Sequence, residues 1–204
     1  MDRLFEKGIY TAQYGETGAL IAMDEYTIEQ IPNGPNGFKI KSDNVIFGQN
    51  GFRQCAEMWV DESWMMQKIH IVVDQKNIEL LANVDGDNVK IWQQHGQREF
   101  EKIIPLQMNK FFFLYSGALA LPFIWLRGFN YGTFEKIQYQ LFPTGQAEVM
   151  QIKKEDKPTV YHFSINMYIG EMTDLTKIET DHTGKMLLFQ SASTKLIIKP
   201  QLSC

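Results

Sequence analysis

Four histidines, two cysteines and scattered carboxylates are the groups that could do chemistry in this 204-residue chain. His70, His95, His162 and His182 stand apart, and no pair has the short spacing of zinc ligands. Cys55 could act as a nucleophile only with a histidine beside it in space. In sequence it alternates with Arg53, Glu57 and Trp59, which reads as a small side chain on a sheet face. Asp85 and Asp87 flank Gly86 without the further oxygen ligands that a calcium loop supplies. Asp61 and Glu62 are adjacent, and neighbouring strand residues point to opposite faces, so they cannot share one proton transfer. The chain has no G-x-G-x-x-G, no P-loop, no H-E-x-x-H and no G-x-S-x-G. These residues predict no catalytic group, no metal ligand and no cofactor. An enzyme on this chain would need polar groups converging in a cavity, for instance His162 with Asn166 and Tyr168.

The elements that position these residues read as strands. FKIKSDNVIFG alternates Phe38 and Ile40 against Lys39 and Lys41. In the run from 52, Phe52, Ala56, Met58 and Val60 share one face, while Arg53, Cys55, Glu57 and Trp59 share the other. Met65, Ile69, Ile71 and Val73 face one way in the next run. NIELLANV and NVKIWQQ flank Asp85-Gly86-Asp87, a strong hairpin signal. REFEKII, TFEKIQYQLF, VYHFSINMYIG, KMLLFQ and TKLIIKP are further strands. Residues 1–16 fit a strand or a short helix, PNGPNG (32–37) is a turn cluster, and KEDKP (154–158) reads as a polar loop. Ten to thirteen strands are expected, in one β-rich domain over 1–204.

One stretch breaks the pattern. Phe111 to Leu126 carries no charge and lies between Lys110 and Arg127. It is shorter than the roughly 20 apolar residues of a membrane span, and Pro122 interrupts it. A short helix over 109–121, capped by Asn109, with the whole insert spanning 109–128, is the expectation. It would serve either as a core plug or as a lid over a cavity, with Leu119 and Phe123 buried in both cases. Trp59, Trp64, Met65 and Met66 come close together, and Phe111, Phe112, Phe113, Leu114, Tyr115, Phe123 and Trp125 follow. Methionine and aromatic side chains suit adaptable apolar pockets as well as ordinary cores. The expected ligand-binding set is therefore Trp59, Trp64, Met66, Phe111, Phe113, Leu114, Leu119, Phe123 and Trp125, with Arg127 placed to meet an anionic head group. Alternatively, the insert is a surface for homo-oligomerisation or another partner.

The composition is that of an ordinary globular chain and excludes some partners. Apolar residues make up 44% of the chain, enough for a sizeable core. The net charge is −4 and no basic cluster marks a nucleic-acid footprint. Two cysteines do not form a disulfide framework. The first residues lack the apolar region of a signal peptide, which predicts a cytoplasmic protein that does not span a membrane.

The pair NIELLANVDGDNVKIWQQHG, the apolar segment ending ALPFIWLRG and the strand KIQYQLFP together resemble lipid-handling proteins. The arrangement is similar to a small bacterial family of glycolipid-binding proteins and, more remotely, to the layout of the LolA and LolB lipoprotein carriers. The resemblance spans about residues 52–170 and is one of architecture. It implies a strongly curved antiparallel sheet, a half-barrel or β-roll, with one short apolar helical insert. Its concave face would take a lipid or acyl chain, and it implies no catalytic residues.

Overall fold

The computed structural model describes residues 3–31, 37–73, 75, 77–105, 111–115, 120, 135–139, 152–157, 160–169, 172–181, 184–191 and 195–201. These form fifteen strands: β1 (Arg3–Tyr14), β2 (Leu20–Ile31), β3 (Gly37–Ile46), β4 (Phe52–Asp61), β5 (Met66–Val73), β6 (Ile78–Asp85), β7 (Asn88–His95), β8 (Arg98–Pro105), β9 (Phe111–Tyr115), β10 (Glu135–Tyr139), β11 (Ile152–Lys157), β12 (Val160–Ile169), β13 (Met172–Thr180), β14 (Met186–Ser191) and β15 (Leu196–Pro200). Thirteen of them make one antiparallel sheet in the order β11-β12-β13-β14-β15-β1-β2-β3-β4-β5-β6-β7-β8. The first and last strands are thus neighbours in its middle. The sheet is open, with β8 and β11 at its two edges.

The alternation in each strand sets which side is buried. Ile28, Ile40, Met58, Ile69, Ala82 and Ile91 lie directly opposite one another across six successive strands. All six are buried. This row is the apolar backbone of the inner face. The outer face carries ion pairs instead: Lys41–Glu29 at 2.8 Å, Lys39–Glu57 at 2.7 Å, Arg53–Asp43 and Lys90–Asp85. The hydrogen bonds from the Arg53 guanidinium hold the Asp43 carboxyl below its ordinary range.

Three expectations are corrected. Residues 111–115 are a strand, not part of a helix over 109–121. β9 pairs in parallel with β10, Phe111 opposite Glu135 and Tyr115 opposite Tyr139. Three consecutive phenylalanines favour extended backbone, and a short, continuously apolar run has no period that separates strand from helix. Ala120 has helical backbone and is buried; the rest of 116–134 lies outside the described residues, as do 32–36 of the turn cluster. KEDKP is not a loop up to Lys157, because Lys154–Lys157 belong to β11 and pair with β12. β11 is an edge strand, where charged side chains are common because they discourage pairing with other chains. The described strands also exceed the ten to thirteen expected, since residues 3–14 are a strand and the insert contributes β9.

Gly8 shows how tightly β1 and β2 are matched. It sits opposite Tyr26, whose ring covers it: a Cβ at Gly8 would stand 2.6 Å from the Tyr26 hydroxyl oxygen. The ring cannot swing away, because it stacks on Tyr10 at 5.1 Å and its hydroxyl donates to Glu6 Oε1 at 2.7 Å. Gly8→Ala is expected to lower stability by about 1–3 kcal/mol, as overpacking of a filled site does. A urea midpoint unchanged from wild type would show that the ring moves freely.

Candidate functional site

The inner face changes character along the strands. At one end Phe38 of β3 stacks on Trp64 at 4.7 Å, and Phe5 leans on Phe38 at 5.2 Å. Phe5 reaches this position as the extra residue of a β-bulge between Leu4 and Glu6. Trp64 lies in the β4–β5 turn with φ of 62°, a conformation that a bulky residue seldom adopts. Asp61 holds it there. The Asp61 Oδ1 accepts from the Ser63 and Met65 backbone N–H groups at 2.9 Å each, and its carbonyl accepts from the Trp64 N–H at 2.9 Å. Asp61 therefore works as a turn cap.

The apolar row from Ile28 to Ile91 comes next along the strands, and beyond it the face turns polar. Tyr10, Asp24, Asn44 and Gln54 lie opposite one another on β1 to β4. All four have 0% exposure. Asp24 is anchored: Oδ1 accepts from Ser42 Oγ at 2.7 Å and Oδ2 accepts from the Ala120 N–H at 2.8 Å. Beside Asp24, the amide atoms of Asn44 and Gln54 have no hydrogen-bond partner among the described residues. Burying such groups unpaired is costly, so folded chains rarely keep them without a purpose. Burial, with Tyr10 and Glu6 alongside, pushes the Tyr26 hydroxyl far above the ordinary tyrosine range, so it stays protonated and donates to Glu6.

The Asp24–Ala120 hydrogen bond is also a contact with one residue of the uncharged segment. It brings the backbone at residue 120 onto the inner face of β2, and β9 touches β5. The expected binding residues are distributed as follows. Met66 is fully buried on the inner face. Trp64 packs at its aromatic end. Trp59 lies on the outer face, where Lys39 and Lys68 each place an ammonium 4.8 Å from its ring centroid. Phe111, Phe113 and Leu114 lie in β9, whose backbone alone is described. Leu119, Phe123, Trp125 and Arg127 lie outside the described residues.

Sequence reading missed Asp24, Ser42, Asn44 and Gln54. A signal was present: each is a polar residue in phase with the apolar residues of its strand, as Gln54 is with Phe52, Ala56 and Met58. Among the described residues no group of three His, Cys, Asp or Glu gathers as a metal site. His70 meets one acid, Glu79 Oε1, at 2.7 Å across β5 and β6. A shallow groove of about 410 Å³ beside it, between Glu79, Gln94 and Gly96, brings no second acid or base together. No helix among the described residues is long and apolar enough to cross a membrane.

Asp24→Asn tests the anchor. The amide nitrogen cannot accept, so one of the two hydrogen bonds is lost, and stability should fall by about 1.5–3 kcal/mol. Hydrogen exchange at the Ala120 amide should accelerate more than at the β3 and β4 amides. Equal acceleration at all of them would mean that Asp24 supports only the sheet.

No family model and no curated protein matches the chain. Among solved structures, it is similar to a beta-barrel-like protein of the domain of unknown function DUF1849 from Brucella abortus. The TM-score is 0.56 at 9% identity, over 100% of this chain and 98% of that one. A DUF1089 family protein from Pseudomonas aeruginosa aligns with a TM-score of 0.47 at 10% identity, over 80% of this chain and 87% of that one. Neither description names a glycolipid or a lipoprotein. At this identity the first likeness establishes the fold: the chain has a beta-barrel-like architecture.

Proposed function

We propose that this protein is a non-catalytic carrier or receptor for an amphipathic small molecule, held between the inner face of the sheet and the uncharged segment 111–126. The observation that carries this reading is the change of character along the inner face. Along β3 it runs from Phe38 and Ile40 to the buried polar residues Ser42 and Asn44, before it returns to apolar at Ile46. At about 3.3 Å per residue, Phe38 and Asn44 are about 20 Å apart, the scale of an extended acyl chain. Each methylene buried on such a surface contributes about 0.8 kcal/mol, so a chain can be held by area alone. The polar row then supplies orientation, as the few polar groups in small-molecule sites do.

The Ala120 contact supports a covering role for the insert, because one anchored hydrogen bond joins it to the inner face. Phe111, Phe113, Leu114, Leu119, Phe123 and Trp125 would then form the opposite wall, with Met66 and Trp64 on the sheet side. Trp59, on the outer face, would take no part.

Native mass spectrometry of protein purified without detergent should show a bound small molecule, and stripped protein should take up the neutral apolar dye Nile red. Ligand binding should raise the urea midpoint, and the rise should grow with the logarithm of free ligand above its Kd. Absence of both adduct and dye uptake would overturn the reading.

A further inference from the structure

We infer that the molecule held on the inner face carries an uncharged carboxamide, which pairs with the side chains of Asn44 and Gln54. The inference rests on the amphipathic-ligand reading and deepens it by naming the polar group. Asn44 and Gln54 are direct cross-strand partners on β3 and β4. Such partners on one face have Cβ atoms about 5 Å apart, so both side chains can reach one ligand group. Both are fully buried, and neither Asn44 Oδ1 and Nδ2 nor Gln54 Oε1 and Nε2 has a hydrogen-bond partner among the described residues. The two amides do not pair with each other although they face each other across the strands. A carboxamide offers a donor and an acceptor on neighbouring atoms. A carboxamide on the ligand satisfies both at once, because it returns an acceptor and a donor in the same order.

Donors and acceptors narrow the choice. A carboxylate or phosphate on the ligand offers acceptors alone and would leave Asn44 Oδ1 and Gln54 Oε1 unpaired. A cation offers donors alone and would leave Asn44 Nδ2 and Gln54 Nε2 unpaired. A hydroxyl carries its donor and acceptor on one oxygen and can engage a carboxamide edge only in part.

Displacement of Nile red tests this with three probes of equal alkyl length: a primary carboxamide, the carboxylic acid and a glucoside. The carboxamide should displace the dye at a concentration lower than the acid by about tenfold or more, and lower than the glucoside, as expected where a buried polar site rejects a mismatched group. Asn44→Leu and Gln54→Met, made singly and together, should bring the three probes within about threefold of one another while dye binding persists. If the double variant does not fold, each single variant must still reduce the preference. Equal or better displacement by the acid or the glucoside, no displacement by the carboxamide, or an unchanged preference in the folded variants would each overturn the inference. Those outcomes leave the binding face standing as long as wild type takes up the dye. Failure of wild type to take up the dye overturns both.

Discussion

The structure depends on register. From β2 to β7 the pairing keeps Ile28, Ile40, Met58, Ile69, Ala82 and Ile91 in one line. Because side chains alternate, a slip of one residue in any strand would move its apolar set to the outer face and bring lysines and glutamates inward. Ion pairs on the outer face reinforce the same alignment: Lys39 meets Glu57 and Lys41 meets Glu29 across neighbouring strands. Each exposed pair is worth little by itself, but a shifted strand would place like charges together. The hydrophobic and electrostatic patterns therefore select one register between them.

Bulges adjust the register where alternation alone would fail. Trp59 is opposite Lys68 and Val60 is opposite Met66, so Gln67 is the extra residue on β5. The shift turns Met66 onto the inner face together with Ile69, although the two differ by an odd number of positions. A second bulge frees Phe5 to lean on Phe38. Both bulges lie at the aromatic end of the inner face, and both bring large side chains to it.

The polar row has a different physical status from the apolar one. Burial of Ile40 or Met58 needs no partner. Burial of Asp24 needs the Ser42 hydroxyl and the Ala120 amide, which reach it from β3 and from a segment ninety-six positions away in sequence. Asn44 and Gln54 have no such partner among the described residues. Polar groups buried on an otherwise apolar face cost folding stability, a compromise met most often at functional sites.

Much of this architecture was legible in the sequence. Period-two alternation located most of the strands, and Asp85-Gly86-Asp87 marked the hairpin in which Gly86 takes a φ of 57°. Both are local properties, decided by side-chain direction and backbone sterics within a few residues. Alternation also separated Trp59 from Met58, but the sequence could not say that the Trp59 face would be the one bearing lysines from two neighbouring strands. Residues 111–115 had no readable period, so pairing with β10 decided their conformation. Met66 was placed by a bulge whose position depends on the partner strand. The candidate site was the least legible part. Asp24, Asn44 and Gln54 are ordinary strand residues when read singly. Only the sheet register puts them side by side, and only the tertiary fold brings Ala120 to Asp24, because a row across strands is made of residues that the chain itself keeps far apart.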